Sequence, residues 1–190
     1  MRSPLHQRLR EATGEAHAAL ERDLDWEARV ETLPGYRSLL ARLRGFHAAY
    51  EPTIGAGLAD EAFFGPRRRL AKLDADLAHL GLGVAAIEAL PAPSPGRLAG
   101  PEAAMGALYV LEGSTLGGQV IGRKVEGLHG LRAEAGCAYY RAQGRAAGAM
   151  WQAFRARLET VPDEEAALAA GVATFEAMRV WLCAEAVASA

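Results

Sequence analysis

Cysteine is nearly absent from this chain: Cys137 and Cys183 are the two in 190 residues. They are far apart and in no CxxC pair, so no disulfide scaffold is implied, and they read as ordinary thiols in a reducing compartment. Aromatic residues are scarce at 7%, and Ile and Thr are few. What remains is rich in Ala, Leu, Glu and Arg, which favours helix throughout. An excess of one charge is also missing. A formal net charge of −2 argues against general nucleic-acid binding, which needs a basic surface. The least polar stretch, Leu80 to Pro93, contains Gly81, Gly83, Glu88 and Pro91 and cannot span a bilayer. The N-terminus, from Met1 to Arg8, runs into a charged helix without the apolar stretch of a signal peptide. The expectation is a cytoplasmic protein with no membrane and no nucleic-acid partner.

The length suits one compact domain over 1–190 that buries a sizeable core without disulfides. A first helix is predicted from about Pro4 to Asp23, capped by Ser3, with Leu5, Leu9, Ala12, Ala16 and Leu20 as its core stripe. A second starts near Pro34, buries Tyr36, Leu39, Leu40, Leu43, Phe46, His47 and Tyr50, and ends at Gly55 and Gly57. The run Pro66-Arg67-Arg68-Arg69 opens a third, through Leu70, Leu73 and Leu77 to Gly81. Prolines 91, 93 and 95 mark a short linker within the one domain. From Pro101 a long helix interrupted by glycines reaches about Val125, and Cys137 to Thr160 reads as another. Thr160 with Pro162 and the following acids starts the last, which buries Leu168, Val172, Phe175, Met178, Val180 and Leu182. No strand is expected: the architecture is an all-α bundle.

Two segments carry chemistry. Gly113, Gly117 and Gly118 sit inside a helical pattern, each at a cost of roughly 1 kcal/mol relative to Ala. Glycines offer a kink and a backbone that something flat can approach closely. Close packing of two helices is the plainer explanation, but Glu112, Ser114, Thr115 and Gln119 add more hydrogen-bonding groups than a packing seam needs, which favours a ligand pocket. In the first helix His17 lies beside small residues at 14, 16, 18 and 19. A lone helical histidine is more often a satisfied boundary residue. Here the alanines clear space around the ring. Glu21, one turn on, is placed to accept the Nδ1 proton and leave Nε2 free for a metal.

Leu9-Arg10-Glu11-Ala12-Thr13-x-x-x-His17-x-x-x-Glu21 resembles the proximal helix of the heme oxygenase family. Tyr109-Val-Leu-Glu-Gly113-Ser-Thr-Leu-Gly117-Gly118-Gln119 resembles its distal helix. The likeness extends over nearly the whole chain and is greatest to the bacterial branch that supplies bilin to bacterial phytochromes. It implies heme sandwiched between a proximal and a kinked distal helix, with iron on His17. Heme would be opened to biliverdin, iron and carbon monoxide with O2 and an external reductant. A neutral imidazole pushes less electron density onto iron than thiolate, which disfavours O–O cleavage. Gly113, Ser114, Gly117 and Gly118 are the implied catalytic wall, where ordered water held by Ser114 would donate the activating hydrogen bonds. Tyr109 is an implied heme contact, Arg10 and Arg155 match propionate-binding positions, and Phe175 and Met178 match pocket walls. Arg123 matches a basic position facing an electron donor such as ferredoxin or a reductase, and a bilin-accepting photoreceptor is an implied partner. Mammalian-type members carry Asp directly after the first distal glycine, where this chain has Ser114, so the water network must be built differently.

Two rival readings share the helical fold. Glu126-x-x-His129 and Asp76-x-x-His79 are the pairs a non-heme di-iron bundle would use, although the first straddles Gly127 at a helix end. A module that stores, transfers or senses heme without degrading it is the other, and a purely structural helical protein would leave the cluster of interior glycines unexplained.

Overall fold

The computed structural model describes residues 4–184, apart from the side chains of residues 115 and 116. Its helices are α1 (Leu5–Leu24), α2 (Trp26–Val30), α3 (Leu33–Leu58), α4 (Glu61–Phe64), α5 (Leu70–His79), α6 (Val84–Glu88), α7 (Gly100–His129), α8 (Ala147–Leu158) and α9 (Glu164–Cys183). Among the described residues there is no strand beyond isolated bridges from Arg132 to Ala135 and Gly136. The all-α architecture is as the composition implies. The expected cap at Ser3 lies outside the described residues.

Helix α9 packs against both α7 and α1, and α3 packs against α7 and α5. The crossing of α7 and α9 is very close. A Cβ added at Gly106 would sit 2.0 Å from the Ala167 carbonyl oxygen, and one at Gly171 would sit 2.8 Å from Leu9 Cδ2. Small residues therefore set this seam. The buried face of α9 is Ala167, Gly171, Thr174, Phe175, Met178 and Leu182, whereas the expected core residues Val172 and Val180 are 37% and 58% exposed. By length and composition α9 could cross a membrane, yet here it packs on α1 and α7. In α1 the stripe holds at Leu5, Leu9 and Leu20, but Thr13 is buried in place of Ala12. Its hydroxyl donates to the Leu9 carbonyl at 2.7 Å, which makes that burial affordable.

The α3 stripe is buried as predicted. Its end is not where the glycines suggest: α3 continues past Gly55 and Gly57, with Pro52 inside, to Leu58, and Ala59 closes it at a positive φ of 50°. Gly57 serves a crossing instead, since its Cβ would lie 2.8 Å from Ala104 Cβ on α7. The arginine run does not open a helix either. Residues 65–67 form a 3-10 turn, and Glu51 of α3 accepts the backbone N–H groups of Arg69 at 2.7 Å and Leu70 at 3.1 Å. A buried carboxylate thus satisfies donors at the start of α5 from across the fold.

Helix α7 runs unbroken through Gly113, Gly117 and Gly118 to His129, so the glycines do not interrupt it. After it, residues 131–143 are irregular rather than helical. Asp76 accepts from Ala138 N at 2.7 Å and Tyr139 N at 2.8 Å, and the Tyr36 hydroxyl donates to the Gly136 carbonyl at 2.9 Å. These long-range bonds replace a helical ladder. The last helix is capped by Asp163, which accepts from Ala166 N at 3.0 Å. Thr160 instead donates its hydroxyl to the Arg157 carbonyl at the end of α8.

Candidate functional site

Between α1 and α7 lies a cleft floored by α9. Two adjoining hollows of about 330 and 280 Å3 share His17, Leu20, Ser114 and Met178. The first extends past Gly117, Gly118 and Ile121 to Tyr139 and Tyr140. The second runs to Arg10, Tyr109, Gly113 and Phe175. Residues about 100 positions apart in sequence thereby face one space, because α9 clamps α1 and α7 together.

On the α1 wall His17 is solvent-facing, its ring tilted at 55° on Phe175 with centroids 5.3 Å apart. Glu21 Oε1 lies 3.3 Å from Nε2. The nitrogen expected to be free is therefore the one nearest the carboxylate. The side chains are 55% and 67% exposed, so the ring can turn to offer Nε2 to the cleft and Nδ1–H to Glu21 without repacking the core.

The glycines of the α7 wall divide by role. A Cβ at Gly113 or Gly117 would meet nothing within 4 Å, so these backbone faces are bare. At Gly118 the same Cβ would meet Tyr140 Cδ1 at 2.9 Å. Gly118 lines the cleft as implied, but it also accommodates Tyr140, and a side chain there would press on that ring. Ser114 stands between the bare positions and donates its hydroxyl to the Leu111 carbonyl at 2.7 Å. The expected hydroxyl of Thr115 lies outside the described side chains.

At one end of the cleft Arg10 stands near Tyr109. Burial pushes the Tyr109 phenol up, opposed by a hydrogen bond with Thr13 and by the Arg10 charge. Arg155 is not brought to this cleft. It donates to His6 Nε2 at 2.8 Å and lines a separate surface groove with Gln152 and Glu159. Helix α8 faces that arginine toward the N-terminal turn of α1, where Glu159 accepts from Leu5 N at 2.9 Å. The pairs a di-iron centre would need are engaged elsewhere. Glu126 pairs with Arg141, His129 Nε2 lies 2.8 Å from the Val30 carbonyl oxygen, and Asp76 holds residues 138 and 139. Among the described residues no group of three or more His, Cys, Asp or Glu is placed to hold a metal.

A set of residues read as plain core, or as helix, stands behind the glycine wall. His47, only 1% exposed, lies 2.8 Å from Glu51 Oε1 through Nδ1 and 3.2 Å from the Tyr139 hydroxyl through Nε2. Burial holds the His47 imidazole below its ordinary value, against the pull of Glu51. The i,i+4 spacing of His47 and Glu51 inside a core stripe was the available signal. Nothing local marks Tyr139 as their partner.

With this geometry in view, the sequence matches the family model for heme oxygenase over residues 3–182. The chain belongs to the heme oxygenase family. Among solved structures it is similar to the NO- and CO-bound heme oxygenase from Neisseria meningitidis at 19% identity and a TM-score of 0.70, covering 99% of this chain and 96% of that one. It is also similar to the heme oxygenase from Leptospira interrogans at 18% identity and a TM-score of 0.73, covering 97% of this chain and all of the other. No curated protein matches significantly. Membership of this family makes the chain an enzyme of heme breakdown on an all-α fold.

Proposed function

We propose that heme is held between α1 and α7 with its iron on His17 and is opened to biliverdin, with iron and carbon monoxide released. The observation that carries this reading is that one apolar cleft holds an accessible imidazole and, opposite it, the bare backbone of Gly113 and Gly117. A flat macrocycle needs such a slot: apolar long faces from Leu20, Ile121 and Met178, a nitrogen ligand on one wall, and no Cβ on the other. Heme is the substrate, and it also supplies the iron at which O2 is activated by electrons from an external donor.

The protein's own residues then have distinct tasks. Glu21 accepts the Nδ1 proton of His17, which fixes the tautomer that leaves Nε2 free and the orientation of the ring. Phe175 supports the ring from below. Arg10 and the Tyr109 hydroxyl meet heme propionates at the open end, where charge-assisted hydrogen bonds are favoured. Arg155 is left out of this set because its groove is separate. Gly113 and Gly117 let backbone crowd the face opposite His17, and Ser114 offers the nearest side-chain oxygen for ordered water. We further propose a cytoplasmic enzyme, reduced by a ferredoxin or a reductase docking near Arg123. Its biliverdin passes to a photoreceptor, as in the branch associated with bacterial phytochromes.

The test is turnover. With hemin, air, catalase and ascorbate or reduced ferredoxin, the Soret band should decay as a broad red biliverdin band and carbon monoxide appear. Hemin that stays intact, or bleaching that catalase abolishes, would make the protein a heme carrier instead.

A further inference from the structure

Behind the α7 wall the polar groups form a chain with a defined direction. Glu51 Oε1 accepts from Arg69 N and Leu70 N as well as facing His47 Nδ1 at 2.8 Å. A carboxylate accepting three N–H groups fixes the histidine as the Nδ1–H form, which leaves Nε2 with a lone pair. That lone pair faces the Tyr139 hydroxyl at 3.2 Å, so the phenol must be the donor. Tyr139 and Ser114 both line the cleft, and Ser114 lies close enough to the phenol to oppose the upward push of burial on it. The Ser114 proton is committed to the Leu111 carbonyl at 2.7 Å, which leaves the hydroxyl oxygen as an acceptor. The Arg69 guanidinium, 5.8 Å from the centre of the Tyr139 ring, adds positive charge beside the phenol.

The site was therefore built so that its side-chain oxygens accept rather than donate. A buried, fully partnered network of this kind holds its orientation because reversing any member would strand a polar atom. A water that donates one hydrogen to Ser114 or Tyr139 then has its second hydrogen directed at whatever lies over Gly113 and Gly117.

We propose that Tyr139, aligned by His47 and Glu51, is a positioning residue that makes the glycine side of the cleft an acceptor wall and so turns bound water into the donor facing the substrate. This rests on the heme oxygenase reading above. Tyr139 does not itself exchange a proton with heme; it sets which way the hydrogen bonds run.

The experiment compares the parent with Tyr139→Phe, His47→Leu, His47→Gln and the double variant Tyr139→Phe/His47→Leu, with Tyr50→Phe, a buried tyrosine stacked on Phe46, as a control outside the cleft. Hemin affinity should stay within about two-fold in all of them. Turnover to biliverdin should fall about ten-fold or more in Tyr139→Phe and His47→Leu, with a larger share of heme loss suppressed by catalase. The double variant should be no worse than the poorer single, as groups acting in one chain are non-additive. His47→Gln should recover much of the loss, because an amide can donate to Glu51 and accept from Tyr139. Without heme, the 15N resonances of His47 should report the Nδ1–H tautomer, and Tyr139→Phe should shift Nε2. Parent-like turnover in Tyr139→Phe, additive losses in the double variant, or an Nε2–H tautomer would overturn the acceptor wall alone. A parent that binds hemin and leaves it intact would overturn the oxygenase reading, and this inference with it.

Discussion

His17 stands on one wall of the cleft with 55% of its side chain exposed and a solvent-facing Glu21 beside it. Across from it, Ser114 and Tyr139 are backed by His47 and Glu51, each about 2% exposed or less. The α1 wall is thus open and adjustable, while the glycine wall, itself half-buried at Gly113 and exposed at Gly117, rests on buried groups that are fixed in direction. A ligand that brings its own iron requires only a nitrogen able to turn toward it. Chemistry on a chosen face of a flat substrate needs groups set in place beforehand, since reorganisation during reaction adds to the barrier.

The comparison is broken most severely by filling the bare wall. Gly117→Val should fold at least as well as the parent, because its Cβ meets nothing within 4 Å, yet turnover should drop about 100-fold or more as the slot narrows. Thermal melting and hemin turnover on one sample check this; normal turnover would return Gly117 to a mere surface position. Gly118→Val should do the reverse. Its Cβ, 2.9 Å from Tyr140 Cδ1, overpacks the wall and should cost about 1–3 kcal/mol, read as a fall in Tm.

Acid exposes the same contrast in stability. An unfolded histidine titrates near 6.5, whereas burial holds His47 lower in the folded protein. Below about pH 6.5 the unfolded chain takes up this proton and the folded one does not, so stability should decline with a slope of up to about 1.4 kcal/mol per pH unit until the folded value is reached. Above that range the contribution is complete and flat. His47→Gln should flatten the curve between pH 5 and 6.5 in denaturant titrations. A parent with no decline there would mean that His47 is charged when folded. The smallest effect separates two arginines. Arg10→Ala should weaken hemin binding about two- to five-fold, as an exposed ionic contact allows, while Arg155→Ala should leave it unchanged.

Much of this was legible in the sequence, and the failures have common causes. The α3 stripe follows from periodicity, whereas the facing of His17 and Gly117 was implied by the family resemblance of the two helical segments. What periodicity misjudged depends on partners far along the chain. Residues 137–143 read as helix until Asp76 takes the N–H groups of Ala138 and Tyr139 from 62 and 63 residues away. Val172 and Val180 read as core until Ala167 and Gly171 let α7 approach the opposite side of α9. His47 was placed inside correctly, but its link to Tyr139 spans 92 residues, and a core histidine alone does not announce a site. The family resemblance placed Arg155 at a propionate-binding position, yet α8 turns it toward His6.

The central claim is that His17 is the heme ligand of the α1–α7 cleft, and a hemin titration followed by Soret and electron paramagnetic resonance spectra tests it most directly. The parent should bind stoichiometrically with a histidine-ligated signature. His17→Ala should lose that signature, bind about 100-fold more weakly and regain the spectrum with added imidazole, while His6→Ala, His79→Ala and His129→Ala should match the parent. A His17→Ala spectrum indistinguishable from the parent's would contradict the assignment.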